Sequence, residues 1–112
     1  MSVVYRAAEI EQLAVSPGAT IYTAPAGTTS IVTFANCTNE SASSETFTIH
    51  IVQSGGSLAD TNIYADTLPL GQGVTKLVTN VLGAILDPGD FIIAFGSTAD
   101  ALNLKLGIKE IS

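Results

Sequence analysis

Short segments of strand-forming residues alternate with turn-forming clusters along almost the whole chain, and this pattern constrains the fold most. The segments are rich in Thr, Ile, Val and aromatic residues, and clusters of Gly, Pro, Asn, Asp and Ser separate them. We predict strands at about residues 11–16, 20–23, 28–38, 45–53, 62–68, 73–80, 91–96 and 102–110. About eight such strands predict an all-β fold, a single antiparallel β-sandwich that is jelly-roll-like or immunoglobulin-like.

Two of these segments show the alternation of a half-buried strand. Residues 102–108 carry Leu or Ile at every even position, and in residues 45–53 the side chains of Phe47, Ile49 and Ile51 share one face. Residues 31–38 are uncharged on both faces, which predicts a central strand covered on both sides. The polar residues 39–44 predict a hairpin with a longer loop between the strands on either side.

The sequence Asp87-Pro88-Gly89-Asp90 predicts a type II turn. Proline supplies a φ near −65° and glycine a positive φ at the two central positions, and the flanking Asp side chains can accept hydrogen bonds from local amides. Two Asp residues at this spacing provide too few oxygen ligands for calcium. We therefore expect a structural turn, and we expect no cofactor or metal.

The sequence of the N-terminal segment is consistent with two structures. Residues 6–13 fit a short helical face or an extended arm, and we favour the arm. We therefore divide the chain into an N-terminal arm at residues 1–10 and a β-sandwich domain at residues 11–112. Val3, Val4 and Tyr5 are apolar residues outside the strand pattern, so either they form a first strand on their own domain or they bind a neighbouring subunit. They are our candidate interface residues.

The composition favours association between subunits. Charged residues make up 12% of the 112 residues and hydrophobic residues 46%, so few charges are left to solvate the surface. Part of the apolar surface is then expected to be covered by other subunits. The net charge of −6 argues against a nucleic-acid partner, and the apolar runs are too short for a transmembrane helix, so we expect no membrane partner either.

The residues able to carry out catalysis do not form a recognisable motif. His50 is the single histidine and Cys37 the single cysteine, and each is expected to have a structural role, His50 at a surface or interface and Cys37 buried. A pair of carboxylates for glycoside hydrolysis would have to come from residues in separate loops. Those residues are Asp60, Asp66 and Asp100. We predict that the chain is not an enzyme.

Several motifs together resemble a known group of proteins. They are Tyr22-Thr23-Ala24-Pro25-Ala26-Gly27-Thr28, the Gly55-Gly56 turn after residues 49–54, Leu86-Asp87-Pro88-Gly89-Asp90, and the final alternating strand. Their order over nearly the whole chain resembles that of small β-sandwich structural proteins of tailed bacteriophages. The resemblance implies a virion component without catalytic residues, either a capsid decoration (cement) protein or a part associated with the neck, tail or fibre.

Among these alternatives we expect a capsid decoration protein, located in the virion, that binds and stabilises the shell as a homo-oligomer, with a trimer favoured. Its partners would be further copies of itself and the major capsid protein or another virion protein. A tail, neck or fibre-associated adaptor is the first alternative. A carbohydrate-binding β-sandwich module is the second, although the chain has no Trp and its tyrosines, Tyr5, Tyr22 and Tyr64, are scattered along the sequence.

Overall fold

The computed structural model describes the backbone of residues 1–112 and every side chain except those of residues 7–11. In chain order the strands are β1 (Val3–Gln12), β2 (Ala19–Thr23), β3 (Thr29–Asn39), β4 (Glu45–Val52), β5 (Ile63–Leu70), β6 (Thr75–Leu77), β7 (Ile85–Leu86), β8 (Phe91–Gly96) and β9 (Leu102–Ile111). Single 3-10 turns lie at Asp60–Asn62 and Thr79–Val81.

The strands form two antiparallel sheets that enclose one hydrophobic core, which confirms the predicted β-sandwich. The first sheet has the strand order β1-β9-β3-β6, with β7 also paired to β3, and the second has the order β2-β8-β4-β5. Most neighbouring strands in each sheet are distant in sequence, so the core forms only when long-range pairs have formed.

The first strand begins earlier than the sequence pattern predicts. The predicted strand at residues 11–16 is wrong, because β1 pairs with β9 from Val3 opposite Ile111 to Gln12 opposite Asn103. The chain then leaves this sheet: the amide of Leu13 donates to Leu102 O at 2.9 Å, and Ala14 O accepts from the amide of Gly96 in the second sheet at 2.9 Å.

β1 therefore extends across the predicted boundary between an arm at residues 1–10 and a sandwich at residues 11–112. Its extended backbone agrees with the preference for an extended conformation over a helix. Contact of this segment with a neighbouring subunit stays a prediction.

The core follows the alternation in the sequence. Leu102, Leu104, Leu106 and Ile108 of β9 are all buried, and Phe47, Ile49 and Ile51 of β4 face the same core from the second sheet.

The surface or interface position predicted for His50 is wrong for the single chain, because His50 is only 5% exposed. The 3-10 turn at Asp60–Asn62 contacts β4 and supplies the partner of His50, the side chain of Asn62.

β3 is central in the first sheet, as predicted, but it is covered on one face only. Its outer face exposes Thr33 and Phe34.

The hairpin predicted around residues 39–44 is also wrong, because β3 and β4 belong to different sheets. Asn39 fixes this crossover: its Nδ2 donates to Ser43 O at 2.8 Å and to Leu70 O at 3.0 Å. The side chain of Asn39 is buried and bonded to the backbone of both the crossover and β5.

The turn between β7 and β8 forms where the sequence predicts it, but of the two flanking Asp side chains only that of Asp90 accepts hydrogen bonds from amides. Gly89 has a φ of +87°, and the amide of Asp90 donates to Asp87 O at 3.0 Å. The Asp90 carboxylate accepts from the amides of Asp87 and Ser54, both at 2.9 Å. The second of these bonds fastens the turn to the loop that follows β4.

Candidate functional site on the outer face of the first sheet

The face of the first sheet that points away from the core carries exposed apolar side chains. A row of directly opposed residues crosses it from Tyr5 through Lys109 and Ile31 to Ile85. Tyr5 is 71% exposed and Ile85 is 63% exposed. We define the outer apolar face as the set Val3, Tyr5, Ile31, Phe34, Leu77, Ile85 and Ile111.

A local irregularity directs Phe34 onto this face. The register of β3 against β9 shifts between Val32 and Phe34, so that Val32 and Ala35 both reach the core while Phe34 lies opposite Gly107. A Cβ atom at Gly107 would lie 3.0 Å from the Cβ of Phe34 and 3.2 Å from Oγ1 of Thr33. The absence of a Cβ at Gly107 therefore leaves room for the Cβ of Phe34 and the side chain of Thr33 at the register shift.

The charges at described strand positions of this face are positive. Lys105 and Lys109 of β9 point outward, opposite Asn36 and Ile31 of β3. The Nζ of Lys109 lies 5.7 Å from the centroid of the Tyr5 ring, within the range of a cation–π interaction. Among the described side chains, no Asp or Glu occupies a strand position on this face, although the whole chain has a net charge of −6. Among the described side chains, two lysines therefore accompany the outer apolar face, although the protein as a whole is acidic.

The three candidate interface residues are divided between the two sides of β1. Val3 and Tyr5 lie opposite Ile111 and Lys109 and belong to the outer apolar face, whereas Val4 lies opposite the inward-facing Glu110. All three side chains are exposed in the single chain. Their contact with a second subunit stays a prediction.

Behind this face, a cluster of polar groups joins the two sheets. The hydroxyl of Tyr22 on β2 donates to the Glu110 carboxylate and lies 2.8 Å from Oγ of Ser30. Arg6 Nε lies 2.9 Å from the same Glu110 carboxylate. Burial, followed by the bond to Glu110, raises the pKa of Tyr22 to about 12, and the hydrogen bond from Tyr22 lowers the pKa of Glu110. These groups link β1, β2, β3 and β9.

His50 and Cys37, the single histidine and the single cysteine, are both buried and lie in different sheets. His50 Nδ1 is 2.6 Å from Asn62 Oδ1, and its ring centroid is 6.0 Å from that of Phe95. Cys37 is fully buried in the core, and burial raises its pKa to about 12, so the reactive thiolate is not formed near neutral pH. Within the described side chains, no group of three His, Cys, Asp or Glu residues could hold a metal ion.

The scattered carboxylates do not form a pair. Asp66 lines a shallow groove beside His50, Asp100 lies in an exposed loop, and Asp60 begins a 3-10 turn. Asp87 and Asp90 do lie together, but both carboxylate oxygens of Asp90 accept backbone hydrogen bonds within the turn region. Among the described residues, this arrangement provides no free pair of carboxylates for glycoside hydrolysis.

Sequence reasoning missed five members of the outer apolar face. They are Ile31, Phe34, Leu77, Ile85 and Ile111. Both sides of the strand at residues 31–38 are uncharged, and this pattern is consistent with an exposed apolar face. The same pattern is equally consistent with a strand that is covered on both sides. Leu77 and Ile85 join the face through the pairing of β6 and β7 with β3, which no local pattern specifies.

The fold and this surface define a β-sandwich protein with an exposed apolar sheet face. Comparisons with protein-family models, curated proteins and solved structures find no match to this chain. In the part of the chain that the structure describes, the helical segments are too short and too polar to cross a membrane.

Proposed function

We propose that this chain is a non-enzymatic structural protein of a tailed bacteriophage, a capsid decoration protein that binds the shell as a homo-oligomer and stabilises it. The observation that carries this proposal is the outer apolar face, on which Tyr5, Leu77 and Ile85 expose 71%, 52% and 63% of their surface. Contiguous exposed apolar surface of this kind marks sites of association between proteins.

The mechanism is geometric. Each copy contributes a modest apolar surface with few charges to desolvate, so contacts between subunits and with the major capsid protein are mainly apolar. Closed symmetry, with a trimer favoured, lets several copies of one weak contact act together. Such multivalent attachment can span neighbouring capsomers and hold them against internal pressure.

The positions of His50 and Cys37 support the proposal that the chain is not an enzyme. His50 is buried and bonded to Asn62, and the Cys37 thiol is buried in the core. The turn motifs quoted above resemble those of phage structural proteins and add the virion context. A tail, neck or fibre-associated adaptor with the same assembly surface is the alternative.

Cryo-electron microscopy of virions assembled with and without this chain tests the proposal. We expect additional density at symmetry-related positions on the shell, and particles without the chain that release their DNA at a lower temperature. Density confined to the neck, tail or fibre would overturn the decoration role and favour the adaptor. Absence of the chain from purified virions would overturn both.

A further inference from the structure

A cleft of about 520 Å³ opens at one end of the sandwich, between the loop that follows β4 and the turn that joins β7 to β8. Its volume lies within the range of roughly 300–1,000 Å³ that is typical of sites for small organic ligands. The residues that line it include Gln53, Ser57, Thr61, Tyr64, Ile85 and Asp87. The cleft differs from the outer apolar face in having many polar groups on its walls.

The walls of this cleft are held in place by hydrogen bonds. Asp90 accepts from the amide of Ser54 at 2.9 Å and so connects the two loops. On the other wall, Asn62 accepts from the amide of Ala59 at 3.1 Å and donates to Ser57 O at 2.9 Å. Because these bonds join groups of the chain itself, they hold the loops in place, and a preformed site lowers the entropic cost of binding.

Other polar groups in the cleft are free to bind a ligand. The side chains of Gln53, Thr61 and Asp87 are exposed and make no hydrogen bond within the described structure. They offer an amide that donates and accepts, a hydroxyl and a carboxylate. Tyr64 is 42% exposed, so part of its ring is available to an apolar ligand face while its hydroxyl is available for a further hydrogen bond.

The charge of the lining limits the class of ligand. Asp87 and Asp90 both line the cleft, and no Lys or Arg is among its described lining residues. An anionic ligand such as a phosphate or a uronic acid would meet like charge with no compensating cation. A neutral ligand with many hydroxyls can instead donate to the Asp87 carboxylate, the type of charge-assisted bond that is stronger than a neutral one.

We propose that this cleft binds a neutral saccharide, with a sugar ring against Tyr64 and two of its hydroxyls bonded to Asp87 and Gln53. The site is additional to the shell attachment proposed above and does not depend on it. Ile85 belongs to both surfaces, whereas Tyr64 and Asp87 lie outside the outer apolar face. For one cleft that contacts one sugar ring we expect a dissociation constant on the order of 1 mM, and several copies in one assembly would bind more tightly through multivalency.

NMR titration of the full chain tests this proposal. The probes are the neutral trisaccharides maltotriose, cellotriose, mannotriose and N,N′,N″-triacetylchitotriose, with trigalacturonic acid as the anionic counterpart. We expect at least one neutral probe to shift amide signals around residues 53–64 and 85–90, and the anionic probe to leave them unchanged. Binding of that neutral probe should weaken about tenfold in Tyr64→Ala and in Asp87→Asn.

Asp100→Asn is the matched control for Asp87→Asn. Asp100 is an exposed carboxylate outside the cleft, and asparagine tolerates its positive φ of 62°. Failure of all four neutral probes at 20 times the expected dissociation constant would overturn the proposal, as would equal weakening in Asp100→Asn or preferential binding of trigalacturonic acid. Attachment to the shell should be unchanged in Asp87→Asn, so the two proposals can fail separately.

Discussion

At the scale of single residues, the cluster of Tyr22, Ser30, Glu110 and Arg6 provides polar contacts between the two sheets. Glu110 is only 7% exposed, and its carboxylate accepts from the hydroxyl of Tyr22 and pairs with Arg6. A buried carboxylate is tolerated when it is hydrogen-bonded and paired, as here. The cluster thus joins the second sheet to the first through polar contacts at the margin of an apolar core.

The first prediction concerns Tyr22→Phe. Removing the hydroxyl takes a donor from the buried Glu110 carboxylate, and we expect the free energy of unfolding at pH 7 to fall by about 1.5–3 kcal/mol. Tyr64→Phe is the control, because the Tyr64 hydroxyl makes no hydrogen bond within the described structure. Urea unfolding of the two variants and the wild type measures the difference. Equal stability of Tyr22→Phe and Tyr64→Phe would contradict this account.

A second prediction concerns the acid dependence of stability. The pKa of Glu110 is lowered in the folded chain, first by the hydrogen bond from Tyr22, so the folded state binds fewer protons than the unfolded state in the acid range. This contribution to stability is fully present above the unfolded-state pKa of about 4.3 and is lost as the pH falls through the lower folded-state pKa. Urea unfolding between pH 7 and pH 3 should therefore show a shallower acid loss in Tyr22→Phe than in the wild type.

At the scale of the strand, the register shift in β3 decides what the outer surface presents. The shift keeps Val32 and Ala35 in the core and places Phe34 over Gly107 of β9. Without the shift, Val32 and Ala35 could not both point into the core, because moving the register by one residue reverses the direction of every side chain. Gly107 allows Phe34 to take this position, because a Cβ atom at residue 107 would lie only 3.0 Å from that of Phe34.

The third prediction follows from this contact. In Gly107→Ala the added Cβ would lie 3.0 Å from that of Phe34, a tight contact that requires the backbone around Phe34 to shift slightly, and we expect a loss of about 1–3 kcal/mol in the free energy of unfolding. Gly71→Ala is the matched control, because its added Cβ would meet only Val74 Cγ2 at 3.4 Å, an ordinary contact. Thermal and urea unfolding compare the two. A loss no larger than in Gly71→Ala would show that the sheet adapts without strain.

At the scale of the whole molecule, the lysines of β9 are separated from the exposed Asp residues. The described cations of β9 lie on the outer face of the first sheet, while exposed Asp residues lie in loops and in the second sheet. Among the described residues, the lysines of β9 therefore lie on the same sheet face as the outer apolar face and apart from the exposed Asp residues.

The fourth prediction tests the outer apolar face. Ile85→Ser removes a side chain that is 63% exposed, and we expect each subunit contact to weaken roughly tenfold, because complete burial of an aliphatic side chain contributes about 1.5–3 kcal/mol and only the exposed part of Ile85 is left to bury. Val15→Ser, which is 48% exposed in the loop before β2, is the control and should associate like the wild type. Sedimentation velocity over a range of concentrations measures association. A wild-type chain that is monomeric throughout, or an unchanged Ile85→Ser, would contradict the assigned surface.

The sequence by itself determined the features that depend on neighbouring residues. Alternation identified the buried leucines of β9, the Pro-Gly pair identified the turn at residues 87–90, and the succession of short strands identified the sandwich. These succeed because side-chain direction in a strand and backbone angle in a turn are local properties.

Only the tertiary structure decided which strands pair. It assigned β3 and β4 to different sheets, buried His50 against Asn62, and brought Ile85 into one row with Tyr5. It also brought Tyr64 and Asp87 to the walls of one cleft. The physical reason is that β-sheet partners lie far apart in the chain, and the energy that selects them comes from burial and hydrogen bonds between segments that no local pattern relates.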